Sequence, residues 1–277
     1  MELFNQTSLD CSRLITQRYS TSFTLGIKTL DKKFHGPVYA IYGFVRFADE
    51  IVDTFHEYDR EKLFNDFCNS TWEAIDRKIS LNPVLHAFQL VVHQYGLDHE
   101  YIKAFLKSME MDLKQQHYHH ALYDEYIYGS AEVVGLMCLQ VFCEGDTEKF
   151  GQLKEAARSL GAAFQKVNFL RDIKSDYQDR GRVYFPKVDF NCFDNGAKNE
   201  IEKDIEKDFA NAYAGILGLP RSARMGVYLA YIYYRKLFRK IQSLPAKHLM
   251  TERVRVPDNT KMALLLGSYV KYHLNTI

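Results

Sequence analysis

Three things are scarce in this sequence: cysteine, net charge and uninterrupted apolar stretches. The five cysteines, Cys11, Cys68, Cys138, Cys143 and Cys192, are odd in number and include no Cys-x-x-Cys. That argues against a disulfide scaffold or a zinc site and fits a reducing cytosol. Lys and Arg number 36 against 35 Asp and Glu, a net charge of +1, so no bulk field draws the chain to nucleic acid or an anionic membrane. No apolar run reaches the roughly 20 residues that span a bilayer. The opening Met1-Glu2-Leu3-Phe4-Asn5-Gln6 lacks the basic and apolar segments of a secretion signal, and a cytoplasmic location is expected. The six prolines and 15 glycines build no linker, so one domain over residues 1–277 is expected. A Gly-rich phosphate loop is also missing, which speaks against a nucleotide ligand.

Aromatics are plentiful, with 19 Tyr and 19 Phe. Most must serve ordinary packing, and a surplus could line a cavity for a long apolar or cationic ligand. Helical periodicity runs from end to end. Ser8 is the expected cap of a first helix carrying Leu9, Leu14 and Ile15, which closes at a small polar junction, Tyr19-Ser20-Thr21-Ser22-Phe23. Asp59, Asn82-Pro83 and Asp98 are expected to start three further helices, the second stopped near Gly96. Tyr126 to Met137 reads as a buried helix whose small residues allow close approach, and Thr147 to Tyr177 as a long one. Asp179 to Pro186 breaks the pattern as a loop. Three helices centred near Asp208, Tyr231 and Leu265 follow, and only Val254-Arg255-Val256 hints at a strand. The expected class is all-α, a multi-helix bundle around a central cavity.

Chemistry concentrates in two stripes. Tyr42, Arg46, Asp49 and Asp53 stand at relative positions 0, 4, 7 and 11, one face of a helix with Pro37 expected near its first turn. The rest of that helix is apolar (Ile41, Phe44, Val45, Phe47, Ile51), so the stripe should face an interior hollow. Gln165, Asn168, Asp172 and Asp176 stand at 0, 3, 7 and 11 in the long helix. Each stripe carries Asp-x-x-x-Asp, two carboxylates one turn apart. Asp204 and Asp208 share the spacing among charged neighbours and read as a solvated face. The ten histidines, His117, His119 and His120 included, read as surface residues.

Carboxylates facing a hollow need positive charge between them, from Arg46 or from a divalent ion. An all-oxygen donor set suits Mg²⁺ or Mn²⁺ rather than zinc, and Mg²⁺ is usually shared with substrate phosphates. A diphosphate held between two acidic helices beside aromatic rings points to an isoprenoid diphosphate. Its allylic cation needs a dry pocket, and aromatic faces stabilise such a cation without reacting.

These motifs resemble those of the squalene/phytoene synthases. The match lies in Tyr42-x-x-x-Arg46-x-x-Asp49-x-x-x-Asp53 and Gln165-x-x-Asn168-Phe169-x-Arg171-Asp172-x-x-x-Asp176. Gly181-Arg182-x-Tyr184-Phe185-Pro186, the Ser20 to Phe23 junction and the Tyr126 to Gly135 helix are similar too. Glu50 follows Asp49 where many members carry a second Asp, which leaves the spacing intact. The overall pattern is most like bacterial phytoene synthases, and no C-terminal anchor like that of eukaryotic squalene synthases is expected.

The resemblance implies an isoprenoid-synthase-like fold and head-to-head condensation of two prenyl diphosphates through a cyclopropylcarbinyl diphosphate. By it, Asp49, Asp53, Asn168, Asp172 and Asp176 would hold Mg²⁺, and Arg46 and the four aspartates would form the catalytic set. Tyr19, Ser20, Thr21, Ser22, Tyr42, Arg46, Gln165, Arg171, Tyr234 and Arg253 would contact substrate. The expected product is 15-cis-phytoene from geranylgeranyl diphosphate, which needs no NADPH. The alternative is farnesyl diphosphate giving dehydrosqualene, or squalene with NADPH. A non-catalytic scaffold is a reading from another class, against which both aspartate pairs speak. Lipid substrates and product make peripheral membrane contact an expectation.

Overall fold

The computed structural model describes residues 1–114, 118–179, 181–186, 188 and 192–274. Thirteen α-helices are defined there: α1 Glu2–Tyr19, α2 Thr21–Lys28, α3 Lys32–Asp53, α4 Arg60–Arg77, α5 Pro83–Tyr95, α6 His99–Lys114, α7 His120–Ile127, α8 Val133–Cys143, α9 Thr147–Lys174, α10 Asn195–Gly218, α11 Arg221–Gln242, α12 Ala246–Leu249 and α13 Asp258–His273. Wide π-helical turns at Tyr128–Glu132 and Ser175–Asp179 follow α7 and α9. No strand forms among the described residues: Val254 and Val256 are buried and Arg255 is exposed, but they pair with no ladder.

Most starts and stops follow local chemistry. Asp59 accepts from Lys62 N–H at 3.0 Å and Asn82 from Val84 N–H at 3.0 Å, satisfying donors that a helix start leaves open. Asp98 accepts from Glu100 N–H at 2.9 Å at the head of α6. Gly96 ends α5 with φ 60°, a left-handed conformation that glycine adopts without a Cβ penalty.

Four expectations are corrected. Ser8 is no cap: α1 begins at Glu2, and the buried Ser8 hydroxyl donates to Phe4 O at 2.9 Å. Pro37 lies well inside α3, because Asp31 caps that helix at Lys32. The junction after α1 is the single residue Ser20, whose Oγ accepts from Phe23 N–H at 3.2 Å and starts α2. Among the histidines, His119 and His120 are exposed, but His86 is fully buried, its Nε2 2.8 Å from Asn5 Oδ1. His117, and Arg180 of the expected loop, lie outside the described residues.

The helices close a ring. α2 packs on α3, α3 on α8, α8 on α9, α9 on α11 and α11 on α2, while α3 and α9 are not an extensively packed pair. The stripe-bearing helices thus stand across an interior. One apolar cluster centres on Phe44, which stacks on Phe88 at 3.9 Å, and a second on Phe169, Tyr184, Phe209 and Phe238. The run His120–Cys143 is long and apolar enough to cross a membrane by length and composition, but 56% of its most apolar window is buried in the protein, as in a core helix. Small residues let its neighbours close in: a Cβ at Gly161 of α9 would lie 2.6 Å from Ala131 O.

Candidate active site

The α3 stripe is half-buried along its length. Arg46 forks between the carboxylates of Asp49 and Glu50, and its guanidinium lies 4.4 Å from the Tyr19 ring centre. Its Nε is buried with no hydrogen-bond partner among the described residues. Burial opposes the charge on Arg46, but Asp49 and Glu50 outweigh it and raise its pKa. Burial pushes the Tyr42 phenol up to about 12, against the pull of Arg46, so it stays protonated at neutral pH. The Phe23 ring lies 5.5 Å from it. Asp49 is the most open acid of the pair, 34% exposed against 18% for Asp53.

The α9 stripe is arranged the same way. Gln165 and Asn168 are half-buried. Asn168 Oδ1 accepts from Tyr234 O–H at 3.2 Å, and the Tyr234 ring stacks on Phe164 at 3.9 Å. Asp172 is clamped by Arg171 at 2.5 Å and by Arg253 at 2.7 Å. Burial works against its charge, but the two guanidinium groups hold its carboxyl below the usual range. Asp176 falls in the π turn after α9, and only 8% of it is exposed. A widened turn rotates side chains relative to α geometry, and such turns recur at functional sites.

The stripes meet through Arg182. Its guanidinium donates to Asp53 Oδ1 at 2.7 Å, and its backbone N–H donates to Asp176 O at 2.8 Å. Gly181, at φ 66°, makes the turn that delivers it. Arg182 also donates to Asp112 O at 3.1 Å. The Asp112 carboxylate accepts from Tyr126 O–H at 2.7 Å, Tyr118 O–H at 3.1 Å and Tyr184 O–H at 3.2 Å. Burial raises the Asp112 pKa although Arg182 and Tyr126 oppose it. Asp176, Arg182, Tyr184, Phe169 and Phe185 line a pocket at this end.

Asp112 was not among the residues expected from sequence, since nothing in Met109-Glu110-Met111-Asp112 marks it as buried. Arg182 sits in a recognised motif, and the loop break at Gly181 was its signal. The reading of Asp204 and Asp208 as a solvated face holds for Asp204, which is exposed, and is corrected for Asp208, which is half-buried; both clasp the buried ammonium of Lys166, Asp208 at 2.7 Å. In the junction of α1 and α2, Tyr19 and Thr21 are exposed, and Ser20 and Ser22 are half-buried.

The four stripe aspartates and Asn168 offer oxygen donors only, which fits Mg²⁺ or Mn²⁺ shared with a diphosphate. Among the described residues no three His, Cys, Asp or Glu groups gather closely enough to hold a metal by themselves. Mg²⁺ usually takes one or two carboxylates and leaves other positions to water and phosphate, so the donor set remains suitable.

The sequence pattern described as Squalene/phytoene synthase matches residues 16–203. A phytoene synthase of Arthrospira platensis is 27% identical, over 93% of this chain and 91% of its own. A 4,4'-diapophytoene synthase of Staphylococcus haemolyticus is 27% identical over 70% of this chain and 67% of its own. Among solved structures, a dehydrosqualene synthase in complex with ligand superposes with a TM-score of 0.84 at 23% identity, over 99% of this chain and 98% of that one. A squalene synthase of Alicyclobacillus acidocaldarius gives 0.74 at 18% identity, over 86% and 94%. At those identities the structural likeness speaks for the fold.

Proposed function

Because the chain belongs to the squalene/phytoene synthase family, whose members join prenyl diphosphates head to head, we propose that it condenses two geranylgeranyl diphosphates to 15-cis-phytoene through prephytoene diphosphate. The observation that carries this reading is the junction of the two stripes at Arg182, which holds Asp53 and the Asp176 carbonyl together at one end of the ring. The near full-length similarity to a phytoene synthase supports the C20 substrate.

In this reading Asp49, Asp53, Asn168, Asp172 and Asp176 hold Mg²⁺ or Mn²⁺, which, when bound, neutralises charge on the departing diphosphate. Arg46, with its spare Nε donor, and Arg171 and Arg253 around Asp172 bind the diphosphates. Tyr19, Ser20, Thr21, Ser22, Tyr42, Gln165 and Tyr234 complete the substrate contacts. The C–O bond of one substrate breaks, diphosphate leaves, and the double bond of the other attacks the allylic cation. Loss of a proton closes the cyclopropane. A second ionisation, rearrangement and proton loss give the hydrocarbon, so no reductant enters the balance. Rings such as Tyr42, Phe164 and Tyr234 would exclude water and face the cation.

The same chemistry on farnesyl diphosphate is the second reading, favoured by the similarity to a diapophytoene synthase. Purified protein given each diphosphate with Mg²⁺, with and without NADPH, separates the two when the extracted hydrocarbon is identified. Phytoene without NADPH is the expected outcome. A C30 product moves the assignment to farnesyl diphosphate, and no product from either substrate ends the enzymatic reading.

A further inference from the structure

The Asp172 carboxylate is saturated with donors. An ionised carboxylate offers about four lone-pair positions on its two oxygens. At Oδ1, Arg171 Nε donates at 3.0 Å and Arg253 Nε at 2.7 Å. At Oδ2, Arg171 Nη2 donates at 2.5 Å and Arg253 Nη2 at 3.4 Å. Two guanidinium groups therefore take up the whole acceptor capacity of this acid. A divalent cation would need one of the same lone pairs, so an arginine must let go before Asp172 can act as a ligand.

The two arginines are not equally held. Arg171 precedes Asp172 in α9, its side chain is 20% exposed, and Tyr233 and Tyr234 lie close enough to act on its charge. Arg253 reaches Asp172 across 81 positions of chain, from the irregular segment between α12 and α13, and its side chain is 52% exposed. The backbone of that segment is tied down on both sides of Arg253. Leu249, Val254 and Val256 are buried, and Lys240 Nζ donates to Arg255 O at 2.7 Å. The Arg253 side chain can thus turn away while its backbone stays in place.

Charge is also distributed differently on the two stripes. On α3 the single guanidinium of Arg46 serves both Asp49 and Glu50, which leaves that group short of positive charge. At Asp172 two guanidinium groups serve one acid, which leaves positive charge in excess. Such an excess repels a lone cation and attracts a phosphate, to which the planar guanidinium fork is matched.

We infer that Arg253 is an internal plug on the second stripe: it fills the acceptor positions of Asp172 until a diphosphate draws it off, so that Asp172 accepts a divalent cation together with the diphosphate and not before it. The inference rests on the proposed chemistry for the identity of these two ligands. Arg253 is then more than a diphosphate contact, because its release couples the two binding events. Such coupling is reciprocal: each ligand raises the affinity for the other by the same factor.

Equilibrium dialysis of the full chain against Mn²⁺, with and without inorganic diphosphate, tests this without turnover. Diphosphate should tighten Mn²⁺ binding to the wild type about tenfold or more. Arg253→Gln should bind Mn²⁺ alone about fivefold or more tightly than the wild type, and should lose most of the enhancement by diphosphate. Adding Asp172→Asn should abolish the gain. Arg253→Lys, a second variant that keeps the charge but not the fork, should fall between. Arg255→Gln removes the same charge from an exposed neighbour and should behave as wild type. Circular dichroism checks that each variant folds. If Arg253→Gln binds Mn²⁺ alone no more tightly than the wild type, or if Arg255→Gln gains as much, the proposal is overturned while the metal–diphosphate reading stands. If no variant binds Mn²⁺ even with diphosphate, both fall together.

Discussion

Arg182 donates to Asp53 at 2.7 Å across 129 positions of chain. Both residues lie largely out of water, the Arg182 side chain 6% exposed and that of Asp53 18%. Replacing Arg182 by Gln removes one buried positive charge shared by Asp53 and Asp112. The expected cost is about 3–5 kcal/mol of unfolding free energy, read by urea denaturation. Adding Asp53→Asn should recover part of it, since the charge that Arg182 opposed is then gone. Two independent, additive losses would show that the pair is not coupled.

Asp49 is one-third exposed, so Asp49→Ala should fold normally. Its effect should fall on chemistry: hydrocarbon output drops about a hundredfold or more, the scale seen when one electrostatic stabiliser of a transition state is removed. A chelator should abolish turnover and added Mg²⁺ restore it, with Tm little changed in the absence of substrate. Turnover that survives both treatments would remove the aspartate pairs from the reaction.

The Tyr42 phenol, held at about 12 against its ordinary 10.0, gives a pH dependence of defined sign. A folded-state pKa above the unfolded one contributes stability that is fully present below pH 10.0 and is lost as pH rises through about 12. Denaturation midpoints of the wild type should therefore fall more steeply over that window than those of Tyr42→Phe. Parallel slopes would mean that the phenol ionises freely in the folded protein.

Two glycines of α9 should respond oppositely to the same change. A Cβ at Gly161 would lie 2.6 Å from Ala131 O and 3.0 Å from the carbonyl carbon, both backbone atoms. Gly161→Ala should cost about 1–3 kcal/mol through overpacking. Gly151 has nothing within 4 Å of its notional Cβ, so Gly151→Ala should stabilise by about 0.4–1 kcal/mol through the unfolded chain. Thermal melts of both variants check the pair, and a shift of the same sign in both would contradict this account.

Local signals in the sequence carried far. Asp59, Asn82 and Asp98 cap where their side chains can reach the next open N–H groups, and the last long helices lie where their periodicity puts them. The two aspartate stripes were legible because apolar flanks set them apart from ordinary surface. The rest depends on contacts between distant segments. Asp112 is defined by Tyr118, Tyr126, Tyr184 and Arg182, none of them its helical neighbours. Asp208 looked solvated because its buried partner, Lys166, belongs to another helix. The start of α1 at Glu2 has no side-chain cap to announce it, and the π turn that carries Asp176 is a change of hydrogen-bond register invisible in residue types.

The fork of Arg46 over Asp49 and Glu50 has a consequence for how the first stripe would receive the proposed cation. A guanidinium paired with one acid alone would be stranded when that acid swung toward an incoming ion. With Glu50 also paired to it, the arginine would stay neutralised if Asp49 turned to a metal ion, and its Nε–H would still face an arriving anion.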